Sequence, residues 1–274
     1  MDDEAFWGEP VELYLFETGD STYYAYTDGE RAITLGGKTY EPIPIERGRI
    51  TSSAGLDKTQ MKVTVPLSAQ IAEIFRTYPP GFKVSLKVFA GHVNDHDQKF
   101  NAVWVGRVLQ CSRENTSGGV ERAVLSCEPA STTMRQSGLR RNWQLSCPHV
   151  LYGALCGASE AVATTSHTVV DMGGTWIELA PDWEGPIPRN KFRAGKVKWD
   201  GDFGKEQRMI LGTEGAVTLQ LAGPTSALNI GDTVEVALGC NRLRGDCTDL
   251  HDNIVNFGGQ PWIPTENPIN KSQI

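Results

Sequence analysis

Four of the six cysteines in this 274-residue chain form two close pairs, and the pairs stand about eighty residues apart. In SCPHVLYGALCG, Cys147 and Cys156 have eight residues between them; in GCNRLRGDCT, Cys240 and Cys247 have six. Closing a loop of that length costs about 4 kcal/mol in chain entropy. A four-thiolate metal site contributes on the order of 10 kcal/mol or more, enough to pin the entry and exit of whatever lies between. The pattern therefore predicts an inserted unit whose two ends meet. Pro148 fits the first position of a helix starting just after Cys147. Arg140, Arg141, Arg242 and Arg244 place positive charge close to the four thiols.

Spacing alone leaves three readings of these cysteines open. Zinc sites usually leave about two to four residues between paired ligands, fewer than here. Iron–sulfur clusters are larger and their cysteine spacings vary more. The remaining reading is a set of buried thiols, since cysteine packs as a small apolar side chain. A disulfide framework is disfavoured. The acidic, polar start MDDEAFWGEP lacks the basic and apolar regions of a secretory signal, so the expected site of synthesis is a reducing cytoplasm. Asn115-Thr116-Ser117 fits a glycosylation sequon but carries no weight there. Cys111 and Cys127 end or lie in strands beside Leu109 and Leu125 and read as core residues.

Between these markers the chain reads as short strands broken by turns. Val11–Phe16, Ser21–Thr27 and Arg31–Ile45 are rich in aromatic and β-branched residues, and Gly36-Gly37 is a two-residue hairpin signal. Met61, Val63 and Val65 alternate on one strand face. Ser68–Tyr78 predicts a helix capped by Ser68, with Ile71, Ile74 and Phe75 on one face and Pro79-Pro80 as its stop. Three strands follow, to about Glu128. A helical pattern runs from Ala130 to Leu155. Beyond Cys156, strands are predicted in GTWIEL, KFRAGKVKW, EQRMILGT, AVTLQL and DTVEVALGC, and then an extended tail.

The expected fold is mainly β: two barrel-like units joined by a short helical segment, the second pinned by a four-cysteine metal site. The expected boundaries are an N-terminal β domain over 1–130 and a helical segment with the first pair over 131–157. A second barrel-like unit over 158–239 and the second pair with its tail over 240–274 complete the chain.

Net charge is -7, which argues against nucleic acid and anionic membrane surfaces as partners. No apolar run is long enough for a membrane span. Other candidate sites read as ordinary structure. His92 and His96 lack the glutamate of a zinc-protease motif. Asp200-Gly201-Asp202 is too short for a calcium loop. Asp182 and Glu184 sit in a Pro/Gly-rich loop, unlike a glycosidase pair. Tyr23, Tyr24 and Tyr26 read as strand faces. His149 and His251, near the cysteines, are candidates for hydrogen-bonding support or for a replacement ligand. No nucleophile motif is present, so no enzyme activity is expected.

The order C-P-H-x-L-Y-G-x-x-C-G from Cys147, then Gly231-Asp232, then G-C-N-R and a second cysteine, then N-F-G-G-x-P-x-I-P from Asn256 to Pro264, resembles the tail-tip hub proteins of long-tailed phages. The nearest forms are phage proteins found also in gene transfer agents; the tail-tip protein of lambda-like phages is more distant. Val63-Thr64-Val65-Pro66-Leu67 and the W-x-G-x-V of Trp104 to Val108 fit as well, so the resemblance spans nearly the whole chain. It implies a structural virion protein of the tail tip or baseplate, made in the host cytoplasm. It implies a homotrimer between the distal tail ring and the central fibre protein. It also implies a [4Fe-4S] cluster on Cys147, Cys156, Cys240 and Cys247. Asn241 stands where relatives often have Asp. The competing expectations are an iron–sulfur redox protein and a zinc-stabilised binding module.

Overall fold

A computed structural model describes residues 9–264, apart from 20–21, 51–59, 77, 94–98, 116–120 and 136–141. The chain divides into two compact units, Met1–Gln136 and Ser137–Ile274.

In the first unit, period-two alternation sets the strands. They are β1 (Pro10–Glu17), β2 (Tyr23–Thr27), β3 (Ile33–Leu35), β4 (Lys38–Pro42), β5 (Glu46–Arg47), β6 (Met61–Pro66), β7 (Val84–His92), β8 (Asn101–Asn115) and β9 (Glu121–Pro129). Met61, Val63 and Val65 are buried as the alternation predicts. Gly36 and Gly37 turn β3 into β4 at φ 59° and 76°; two successive left-handed residues are what a tight hairpin matched to strand twist requires.

These strands form one nine-stranded sheet in the order β3-β4-β2-β1-β7-β8-β9-β6-β5. The expected barrel-like first unit is corrected to that extent: among the described residues no ladder joins the two edges. The edge strands β3 and β5 are three and two residues long and pair only with β4 and β6. The central strand β1 is covered on both faces. Leu13 and Leu15 pack with Ala25 and Tyr40, while Tyr14 and Phe16 are buried on the other side.

The predicted helix shortens to α1 (Gln70–Ile74). Ser68 does not cap it; Ala69 holds the N-cap position with no side-chain bond. Ile71 and Ile74 face the core as expected, but Phe75 already leaves helical geometry and is buried at 7% exposure. The helix thus ends before Pro79 is reached.

The second unit contains a closed six-stranded barrel, β10-β11-β14-β13-β12-β15. Its strands are β10 (Thr164–Met172), β11 (Trp176–Leu179), β12 (Lys196–Gly201), β13 (Gly204–Glu214), β14 (Thr218–Leu221) and β15 (Thr233–Ala237). Two corner strands close it. β10 pairs with β15 over Thr164–Thr168 and then with β11 from Val169 onward. β13 pairs with β12 up to Met209 and then with β14 from Ile210. Each corner strand carries a bulge, near Val169 and near Ile210, which lets a strand pass between sheets. Alternate residues fill the interior: Ile177 and Leu179, Val197 and Trp199, Leu219 and Leu221, Val234 and Val236. Each such buried side chain contributes about 1.5–3 kcal/mol.

Three sequence expectations change from Ala130 onward. Among the described residues the stretch from Ala130 is helical only as a 3₁₀ segment, Ala130–Arg135, and no helix starts at Pro148. The Cys147 N–H donates to the Arg242 carbonyl at 2.7 Å, and Tyr152 lies at φ 60°, a left-handed geometry that a right-handed helix excludes. Cys247, the second member of the second pair, lies on a helix the sequence did not announce, α2 (Arg244–Asp249), and Cys240 precedes it in irregular chain. The tail is not extended over its described part: a 3₁₀ turn at Ile254–Asn256 folds it back, and residues 265–274 lie outside the described residues.

Candidate functional site

The barrel itself brings the cysteine pairs together. β10 begins soon after Cys156, β15 ends just before Cys240, and these strands are antiparallel partners with Thr164 opposite Ala237. Entry and exit therefore meet at one end of one ladder. The Leu238 N–H donates to the Ala163 carbonyl at 3.0 Å, and the Tyr152 hydroxyl donates to the Leu238 carbonyl at 2.7 Å. Loop closure is thus secured by sheet pairing before any metal is considered.

Beyond the ladder, Cys147, Cys156, Cys240 and Cys247 all line one cavity of about 100 Å³, with His149 and His251 on its wall. Three of the four sulfurs face N–H donors. The Arg242 backbone N–H points at Cys240 Sγ at 3.3 Å. The Gly258 N–H points at Cys147 Sγ at 3.4 Å. The Asn253 side-chain amide lies 3.7 Å from Cys156 Sγ. The fourth, Cys247 Sγ, donates to the Asn253 carbonyl at 3.2 Å. Burial pushes the Cys247 thiol up, and the neighbouring charges of Cys240, Cys147 and Cys156 push it further. Burial also raises Cys240, against the opposing pull of the Arg242 N–H. Each sulfur therefore lies within electrostatic reach of others.

Among the described residues, no three Cys, His, Asp or Glu side chains stand close enough to hold a single metal ion. A lone zinc at about 2.3 Å from each thiolate would draw the sulfurs to about 3.8 Å from one another. Here they surround a cavity instead. The donor set fits a multi-iron cluster: four thiols, N–H groups aimed at sulfur, and an apolar wall that includes Leu151, Met209 and Phe257.

Each histidine engages one ring nitrogen with a backbone carbonyl. The His251 ring nitrogen Nε2 bonds the Gly239 carbonyl at 2.9 Å, and its ring meets Tyr152 edge-on at 5.8 Å. His149 Nδ1 lies 3.2 Å from the Asn256 carbonyl. Both brace the cavity wall.

Several residues that hold the site were not singled out in the sequence. The N-F-G-G stretch was visible as a motif without a role. Its Gly258 donates to Cys147, and any Cβ there would meet the His149 ring at 2.6 Å, so only glycine lets the backbone come this close. Asp246, 3% exposed, accepts from the Asn241 N–H at 2.9 Å and from Lys191 at 2.5 Å. The Asn241 side chain accepts from the Leu243 N–H at 2.8 Å, a task its amide oxygen performs as a carboxylate would.

The other candidates take structural places. Asp200 and Asp202 flank the β12–β13 turn. Glu184 pairs with Arg189 at 2.5 Å, while Asp182 occupies a turn at φ 60°. His92 ends β7, and His96 lies outside the described residues, as do Arg140 and Arg141. Tyr23, Tyr24 and Tyr26 lie on β2. Arg242 and Arg244 are exposed. Cys127 is fully buried, whereas Cys111 is only partly so. Among the described residues no helix is long and apolar enough to cross a membrane.

Residues 11–159 match the family described as "Baseplate hub protein, N-terminal attachment domain", and residues 190–267 match "Phage conserved hypothetical protein BR0599". The first match includes Cys147 and Cys156; the second includes Cys240 and Cys247. No curated protein matches the sequence. Among solved structures, a chain of the "Virion of native gene transfer agent (GTA) particle" superposes with a TM-score of 0.76 at 18% identity, over 97% of this chain and 91% of its own. The shared fold thus extends over nearly the full length of both. With the hub model covering more than half of its residues, the chain belongs to the baseplate hub protein family and is a structural protein of the virion tail.

Proposed function

We propose that this protein is the trimeric hub that joins the distal tail ring to the central fibre protein, and that it holds a structural [4Fe-4S] cluster on Cys147, Cys156, Cys240 and Cys247. The observation that carries the reading is the convergence of four thiols on one cavity, with N–H donors facing three of them. When bound, the cluster supplies four iron–thiolate bonds that tie together segments with little regular structure of their own. The barrel does not need it for closure. The residues that gain are those around the first pair and those beyond Leu238, which otherwise meet through separate hydrogen bonds and the Tyr152–His251 ring contact.

Assembly, rather than catalysis, also suits the surface. The segments bearing the cysteines leave Trp143, Val150, Leu155, Val255 and Trp262 at 74–92% exposure. Large apolar side chains left in water favour association with other proteins.

The test is iron and acid-labile sulfide on anaerobically purified protein, with its visible spectrum and its mass in solution. About four of each per chain, a brown colour lost in Cys147→Ser and Cys240→Ser but kept in Cys111→Ser, and a trimeric mass are expected. Loss of assembly onto tail rings in the same two variants completes the case. One zinc per chain would replace the cluster with a zinc-stabilised module. Reversible reduction by a partner protein would point to electron transfer. Wild-type assembly by variants of all four cysteines would remove the structural role.

A further inference from the structure

Resting on the cluster reading above, we infer that Asn253 is the positioning residue of the site: it joins the two cysteine pairs to each other and sets the electrostatics at Cys156. It is 8% exposed, and all four of its polar groups are engaged. Its backbone N–H donates to the Cys247 carbonyl at 2.8 Å; its own carbonyl lies 3.2 Å from Cys247 Sγ and accepts from it only while that thiol keeps its proton, in the metal-free protein. Its side-chain amide donates to the Cys156 carbonyl at 2.5 Å and lies 3.7 Å from Cys156 Sγ. Its Oδ1 accepts from the Asn256 amide at 2.7 Å. A cysteine from each pair is therefore held by one buried side chain and its own backbone.

The chemistry calls for an amide. Asn256 donates to Oδ1, so the amide orientation is determined: the NH₂ must face Cys156. A donor facing a ligating sulfur stabilises the added negative charge of a reduced cluster and raises its potential. Aspartate has the same shape and would keep the Asn256 bond. It would lose the donor and place a negative charge beside a thiolate. Alanine removes the donor without adding charge. The two substitutions thus separate the two effects.

The experiment uses the full chain, reconstituted anaerobically with iron and sulfide. It compares wild type with Asn253→Asp, Asn253→Ala and Asn256→Ala by midpoint potential and by the rate of iron release to a chelator. The expected order of potentials is wild type highest, Asn253→Ala lower and Asn253→Asp lowest, with iron release accelerated about 10-fold or more in both Asn253 variants. Asn256→Ala, which frees the amide to rotate, should shift both readouts in the same direction by less. It serves as the decisive variant should substitution at Asn253 prevent folding. Potentials and release rates equal to wild type in the folded variants would overturn the role of Asn253 while leaving the cluster in place. A wild-type chain that takes up no iron and sulfide would overturn the cluster reading, and this inference with it.

Discussion

Cys127 and Cys247 are both buried cysteines, yet their surroundings differ in kind. Cys127 lies in β9 between Met61 and Val108 of the neighbouring strands, and burial alone pushes its thiol up to about 12 from 9.0. Cys247 is raised by burial and by three other sulfurs, a grouping that a cationic cluster can relieve by taking up thiolates and releasing protons. The Cys127 shift has a pH signature. Below pH 9 both folded and unfolded chains keep the proton, so its stabilising contribution is complete. As pH rises, the unfolded chain ionises first, and stability falls until the folded thiol titrates near pH 12. Denaturant unfolding between pH 9 and 11 should therefore fall more steeply for wild type than for Cys127→Ala; parallel profiles would mean that this thiol ionises normally.

At the scale of elements, α2 raises a question of support. Six residues do not make a stable helix in isolation, and its N-cap residue Leu243 offers no side-chain bond. Asp246 provides the anchor through Asn241 and Lys191, and so fixes Cys240 on one side and Cys247 on the other. Removing one partner of a buried ion pair costs about 3–5 kcal/mol. Lys191 keeps partial solvent contact, so a cost of about 2–3 kcal/mol is expected for Asp246→Ala. Chemical unfolding of the metal-free protein measures it, and Cys247 should then react faster with a thiol reagent. Asp249→Ala, at the exposed end of the same helix, should change neither.

At the scale of the molecule, the two units have separate cores, and the barrel closes through its own β10–β15 ladder. Calorimetry should therefore resolve two transitions. In Cys147→Ser only the one belonging to Ser137–Ile274 should move down. The near-ultraviolet signal of Trp183 and Trp199, both inside the barrel, should survive removal of iron. A single merged transition, or loss of that signal with the iron, would show that the cluster supports the barrel core rather than the segments beside it.

Strand content and the Gly36-Gly37 hairpin were legible in the sequence. Both follow from local rules: period-two alternation and left-handed glycine turns. Legibility failed where distant contacts override local preference. α1 ended at Ile74 with Phe75 still buried, the Cys147 N–H bonded the distant Arg242 carbonyl, and the first sheet stayed open between β3 and β5. β10 was missed because its residues are mostly exposed, on a strand that serves two sheets in turn. The deepest revision concerns the cysteine pairs. Their spacing reads as a demand for a clamp across about eighty residues. Only the tertiary structure shows that an antiparallel ladder already joins those ends, because strands that begin and finish a closed barrel must lie side by side. The sequence determined which residues carry the sulfur; the barrel decided that they meet, and Asn253, Asp246 and Gly258 decided how they are held.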